Sequence, residues 1–185
     1  MGFEFHCAGC GQTHHGMPAL DAPAPLSYYV VPDAERERRC ALSSDDCVID
    51  EEFFFIRGCL EIPVEGESDP FSWGVWVSLS HASYEQWVAC FEHEQRSHVG
   101  PFFGWLNVGL SGYPDTVNLK TRVHLRDGFI RPLIELEPTD HPLAVEQREG
   151  ITVARVAQLY AMAVHGLEPG NVTGPEASLP SGNER

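Results

Sequence analysis

The sequence predicts an α+β fold, a mainly antiparallel sheet packed by two or three helices, with a small cysteine-containing turn at the N-terminus. Three observations carry that expectation. Residues 53–64 and 73–80 are rich in aromatic and β-branched residues, and Val75, Val77 and Leu79 alternate with Trp76, Ser78 and Ser80. Residues 119–136 read as a β-hairpin. Leu119, Thr121, Val123 and Leu125 lie on one face of its first strand, Lys120, Arg122 and His124 lie on the other, and Asp127-Gly128 forms the turn into Phe129–Leu136. Apolar residues then recur at helical spacing in two stretches, Tyr84, Trp87, Val88 and Phe91, and Val153, Val156, Leu159, Tyr160 and Ala163.

The individual elements follow in chain order. Residues 1–18 form the cysteine turn, and Pro18, Pro23, Pro25 and Pro32 keep residues 19–32 extended and irregular up to the apolar run Leu26–Val31. Asp33–Arg39 is charged and helix-compatible, a solvated face, and Val48–Asp50 opens the strand-rich middle. Ser83-Tyr-Glu-Gln86 fits a capping box, and the 93–98 stretch reads as a polar helix end. Gly100–Trp105, with Tyr113–Thr116, reads as an aromatic loop region lining a groove or a dimer contact, with core packing as the default. Thr139 or Asp140 caps a helix that tolerates Pro142 in its first turn and ends at Gly150; a last helix over about 152–164 stops at Gly166. Residues 1–166 are expected to form one domain, with 1–18 as a subregion, and 167–185, rich in Pro, Gly, Glu, Asn and Ser, to be a disordered tail.

Charge narrows the function classes. The 185 residues carry 27 Asp and Glu against 12 Lys and Arg, a formal −15, and Lys120 is the sole lysine. Nucleic-acid binding relies on neutralising phosphates and an anionic membrane attracts basic segments, so neither partner is expected. A basic protein partner suits the acidic surface, with a homodimer as the alternative. No apolar run has the length of a signal peptide or a span, so the expected location is cytoplasmic, with the six cysteines reduced.

Reduced cysteines at close spacing point to metal. Cys7-Ala8-Gly9-Cys10-Gly11 has the two-residue separation that lets both sulfurs face one point, and Gly11 suits the positive φ of such a zinc-knuckle-like turn. Zinc takes four ligands. His14, four residues beyond Cys10, is the nearest third and Cys47 the best distant fourth, with Cys40, His6 and His15 in reserve. Gly11, Gly16 and Pro18 argue against the long helix that follows a redox-active pair.

Other chemistry is less sharply marked. His93 and His98 are five residues apart, about 140° round a helix, and so fail the zinc-protease spacing. Arg57, Cys59 and Glu61 share one strand face, and Lys120, Arg122 and His124 share another; aligned, they make a polar sheet face with a thiol and an imidazole. A hydrolase-type site would draw on Cys59, Glu61, His124 and His141, whereas salt bridges around a packed cysteine are the plainer outcome.

Several longer phrases resemble a bacterial family catalogued as domain of unknown function 2199. They include Cys7-x-x-Cys10-Gly11-x-x-His14, Ser44-Asp45-x-Cys47-Val-Ile-Asp50, Phe55–Val64, Trp73–Leu79, Tyr113-Pro-Asp-Thr116 and Glu137–Arg148, and the likeness covers about residues 3–166. It implies no activity. It does set Cys7, Cys10, Cys47 and Cys59 within matching phrases and leaves Cys40 and Cys90 outside them, and His14 matches as well. The expectation is therefore a zinc-stabilised binding or interaction module, with Cys7, Cys10, His14 and Cys47 as ligands. Its rivals are the hydrolase and a catalytic metal with three protein ligands and a water.

Overall fold

A computed structural model describes residues 2–167. In chain order the elements are β1 (Glu4–His6), β2 (Thr13–His15), β3 (Ala19–Asp21), α1 (Leu26–Val30), α2 (Asp33–Arg39), β4 (Cys40–Leu42), β5 (Asp46–Ile49), β6 (Phe53–Ile62), β7 (Phe71–Leu79), α3 (His81–Cys90), β8 (Phe102–Leu106), β9 (Lys120–His124), β10 (Leu133–Leu136), α4 (Pro142–Glu149) and α5 (Val153–His165). The expected α+β class and mainly antiparallel pairing hold, and the tail expected over 167–185 lies, beyond Leu167, outside the described residues.

Two long strands organise the sheet. β6 and β7 pair antiparallel along nine residues, from Phe54↔Leu79 to Ile62↔Phe71. On its other edge β7 takes β3 at its start and β8 near its end, while β6 takes β5 at its start and β10 in its middle. The chain β7-β8-β9-β10-β6 returns to β7, so five strands close into a small barrel, and the parallel contact Leu133↔Cys59 is the seam. Closure removes edges that would otherwise offer unpaired backbone groups.

The barrel interior is apolar and tight. Ile56, Val77 and Leu106 are in one register, and Val123 and Ile134 in another, all fully buried. Two glycines make room. A Cβ at Gly104 would sit 2.3 Å from Val77 Cγ1 and 2.5 Å from Ser78 O, and one at Gly58 would meet the Ile134 side chain at 2.6 Å. Leu143, Ala144, Ile151, Val156 and Leu159 extend this core into α4 and α5. Gln147 ties α4 to β10, accepting from Leu136 N at 2.8 Å and donating to Ile134 O at 2.7 Å.

Several local expectations shift. Gly100–Trp105 was expected as loop but contributes β8, because Gly104 is a barrel requirement and not a strand breaker. The expected strand from Phe129 begins only at Leu133, since residues 126–130 turn around Arg96, whose guanidinium donates to Arg126 O and Ile130 O. Residues 93–98 are loop, not a helix end. Leu26–Val30 coils into α1. Helix α3 starts earlier than the capping box implies, with Ser80 accepting from Ser83 N. His141, not Thr139 or Asp140, caps α4 through Nδ1, which accepts from Leu143 N at 3.2 Å.

Candidate metal centre

The β1–β2 hairpin packs beside α5. Phe5, Cys7 and Ala161 form a small buried cluster, with Phe3, Val153, Ala157, Tyr160 and Leu167 against it. Between the strands the chain turns through Cys7–Gly11: Cys7 N donates to Gln12 O at 2.9 Å, and Gly11 N donates to Cys7 O at 2.8 Å. Gly11 has φ +68, the left-handed conformation expected of it.

This turn faces the end of α5. Among the described residues, Cys7, Cys10 and His165 offer ligand atoms that all lie within 4.8 Å of one another. His165 is the last residue of α5, and Gly166 ends the helix in the left-handed conformation with its N–H donating to Met162 O. The helix terminus carries partial negative charge, which favours a cation there. Gly9 lets the turn approach: a Cβ on it would lie 2.5 Å from His165 Cδ2 and 2.8 Å from Cγ.

His14 stands at the rim of the group. Its Nε2 is 3.2 Å from Cys10 Sγ, and its ring stacks on Phe5 at 5.2 Å and tilts over Tyr160 at 4.7 Å. A tetrahedral zinc site with ordinary bond lengths separates a sulfur and a nitrogen by about 3.6 Å and two sulfurs by about 3.8 Å. Drawing the three grouped atoms into that geometry takes a contraction of no more than about 1 Å. The grouped donors, two thiols and one imidazole, suit a divalent ion, whose charge two thiolates would balance beside the apolar cluster.

Cys47 is not in this group. It is fully buried in β5, within the barrel-side core, and burial pushes its thiol up to about 12. The residue that stands with Cys7 and Cys10 is His165. Cys40 lies opposite Ile49 on the neighbouring strand, His15 approaches Glu4 at 3.4 Å, and His6 is exposed at the end of β1. Nothing in the sequence ties His165 to the cysteine turn. A histidine one residue before a helix-ending glycine reads as a dipole complement.

The polar sheet face exists as the outer wall of the barrel. Cys59, Leu133 and His124 lie in one register, so the thiol and the imidazole are separated by a whole strand, roughly 10 Å. His124 Nε2 is 2.8 Å from Glu135, and Arg126 donates to Glu61 at 2.6 Å. The Nε2 of His141 is buried, with no partner among the described residues, on the far side of its capping contact. Cys59 and His124 are thus not within hydrogen-bond reach of each other across β10.

A family model described as an uncharacterized protein conserved in bacteria (DUF2199) matches residues 6–151. The match includes Cys7, Cys10 and His14 and ends before α5. No curated protein matches the chain, and no solved structure does.

Proposed function

The chain belongs to this family of uncharacterised bacterial proteins, and we propose that it is a cytoplasmic binding domain whose N-terminal hairpin is held by a structural zinc ion. The proposed ligands are Cys7, Cys10, His14 and His165. The observation that carries the reading is the convergence of Cys7, Cys10 and His165 within 4.8 Å. His14, 3.2 Å from Cys10 though outside the group of three, is the nearest further donor, and with it the ion would be held as in a structural site. Position supports the same conclusion, for neither cleft beside α3 is lined by any of these four residues. The ion would fasten the first strands of the chain to its last helix.

Binding, rather than hydrolysis, is favoured because His124 and Glu61, the acid–base candidates of the outer sheet face, are engaged by Glu135 and Arg126. A charge of −15 supports a basic protein partner, with self-association as the alternative. Cobalt(II) substitution tests the metal reading. Two thiolates and two imidazoles give intense tetrahedral absorption that added cyanide leaves unchanged. A weak six-coordinate spectrum would overturn the ligand set, and a spectrum shifted by cyanide would favour an open catalytic site.

A further inference from the structure

Away from the cysteine turn, a cleft of about 810 Å³ opens between α3 and the β4–β5 turn. We propose that this cleft docks an extended basic segment of a partner protein, with two cationic side chains four residues apart and an apolar side chain midway between them. The inference rests on the reading of the chain as a binding domain for a basic partner, and it names the surface and the pattern recognised there.

The floor of the cleft is an aromatic row. Tyr84 stacks on Trp87 at 5.6 Å, Trp87 tilts against Phe91 at 4.8 Å, and all three border the cleft. Val88 borders it as well, and Val88 and Phe91 are 50% and 39% exposed. Single exposed apolar side chains need no explanation. Two in one cleft, over an aromatic row and rimmed by charge, have the anatomy of a docking surface.

The rim is of one sign. Asp45, Asp46 and Glu92 border the cleft, and among the described residues no lysine or arginine does. His93 is the one side chain there that gains a positive charge on protonation. Asp45 has a partner, since Arg131 Nε donates to it at 2.8 Å. Asp46 accepts from the Tyr84 and Ser43 hydroxyls, and Glu92 is exposed; neither has a cationic partner among the described residues. Arg96 lies over the Phe91 ring but borders the neighbouring cleft. It is 3% exposed, and its guanidinium donates to the carbonyls of Phe91, Arg126 and Ile130. Two carboxylates without counter-ions, on a chain of −15, complement a basic partner.

Their positions set the spacing. Asp46 is bonded to Tyr84 and Glu92 follows Phe91, so the two stand at opposite ends of the aromatic row. Tyr84 and Glu92 are eight residues apart, about 12 Å at the helical rise. An extended chain rises about 3.3 Å per residue and turns alternate side chains to one face, so residues i and i+4 span about 13 Å with i+2 between them. Cations at the two ends would reach Asp46 and Glu92 while the middle side chain rests on Val88 and Phe91.

The test is a titration of the ¹⁵N-labelled full chain with the pentapeptide acetyl-Arg-Ser-Leu-Ser-Arg-amide. Saturable shifts should appear at the amides of Ser44, Asp46, Val88 and Glu92, and the affinity should fall as salt is raised. The isomer acetyl-Ser-Arg-Leu-Arg-Ser-amide has its cations two residues apart and its leucine on the opposite face. It should bind at least about threefold more weakly, and Glu92→Gln should weaken the first peptide by about two- to fivefold, the effect of one exposed ion pair. If that variant does not fold, the comparison of isomers in the unmodified chain decides alone. No saturable shift at these amides would overturn the proposal, and equal binding of the isomers would overturn its spacing. Shifts confined to another face would overturn this surface and leave the basic-partner reading standing. Tighter binding of acetyl-Glu-Ser-Leu-Ser-Glu-amide would overturn that reading as well. A dimer in sedimentation that Val88→Ser dissociates would give the face to a second copy of the chain, which also overturns the proposal.

Discussion

Gly9→Ala isolates the contact between the cysteine turn and α5. A Cβ at this position would lie 2.5 Å from His165 Cδ2, 2.8 Å from Cγ and 3.0 Å from Cβ. Ordinary carbon contacts begin near 3.5 Å, so the imidazole would have to withdraw by about 1 Å. Gly9 is not among the positive-φ glycines, so alanine adds no backbone strain and the effect is steric alone. Zinc–ligand distances tolerate only about 0.2 Å, so a displacement of that size takes His165 out of the coordination sphere. Zinc affinity should fall on the order of 10- to 100-fold or more, the loss typical of disturbing a ligand's support. Competition with a chromophoric chelator measures it. Pairing the change with His165→Ala sharpens the result: once the ring is gone only the Cβ contact at 3.0 Å is left, so most of the cost of Gly9→Ala should vanish. An affinity unchanged by Gly9→Ala, or a loss that persists in full without His165, would refute the arrangement.

Four other outcomes follow from the fold. Gly104→Ala should destabilise the barrel by about 1–3 kcal/mol in urea unfolding, because its Cβ would press on Val77 and on a backbone carbonyl that cannot yield. Phe5→Ala should loosen the hairpin, raising amide exchange over residues 3–16 while leaving β6 and β7 protected. Glu146→Ala removes the acceptor shared by Tyr113 and Arg155 and leaves a partly buried guanidinium unpaired, so the thermal midpoint should fall by several degrees. Asp127 accepts from Ser97 N, Arg96 N and the Ser97 hydroxyl, which hold its carboxyl below the usual range. A depressed folded-state value gives stability that is present above the unfolded pKa, about 3.9, and is lost as pH falls through the folded one. Asp127→Asn should remove that part of the acid-side decline in a stability–pH series.

Much of the fold was legible because burial imposes a period. Thr121 and Val123 are buried while Lys120 and Arg122 are exposed, and the stripe on α5 buries Val156 and Leu159 as its spacing requires. Barrel closure was not legible. It depends on the parallel Leu133↔Cys59 contact, which joins two segments that each read locally as parts of antiparallel pairs. β8 was hidden by its glycine, which a curved wall demands and a flat strand disfavours.

The candidate site divides the same way. Cys7, Cys10 and His14 are close in sequence, so the constraints of one turn reveal them. His165 reaches them only because α5 ends there, and its position depends on how the helix packs through Tyr160 against Phe5. Cys47 looked eligible because its spacing in sequence does not show that β5 carries it into the main core, away from the hairpin cluster that holds Cys7. Arg96, in a run of His, Glu and Gln, carried the pattern of a solvated surface and is instead among the few charged residues in the interior.

Metal content is the decisive readout for the proposed zinc ion between the N-terminal turn and the end of α5. The chain, purified without added metal, should contain about one zinc, as a closed four-ligand site predicts. Cys47→Ser should keep that zinc, whereas Cys10→Ser and His165→Ala should lose it on gel filtration against a mild chelator. A folded chain purified without zinc would contradict the account. So would zinc that disappears with Cys47→Ser and survives His165→Ala.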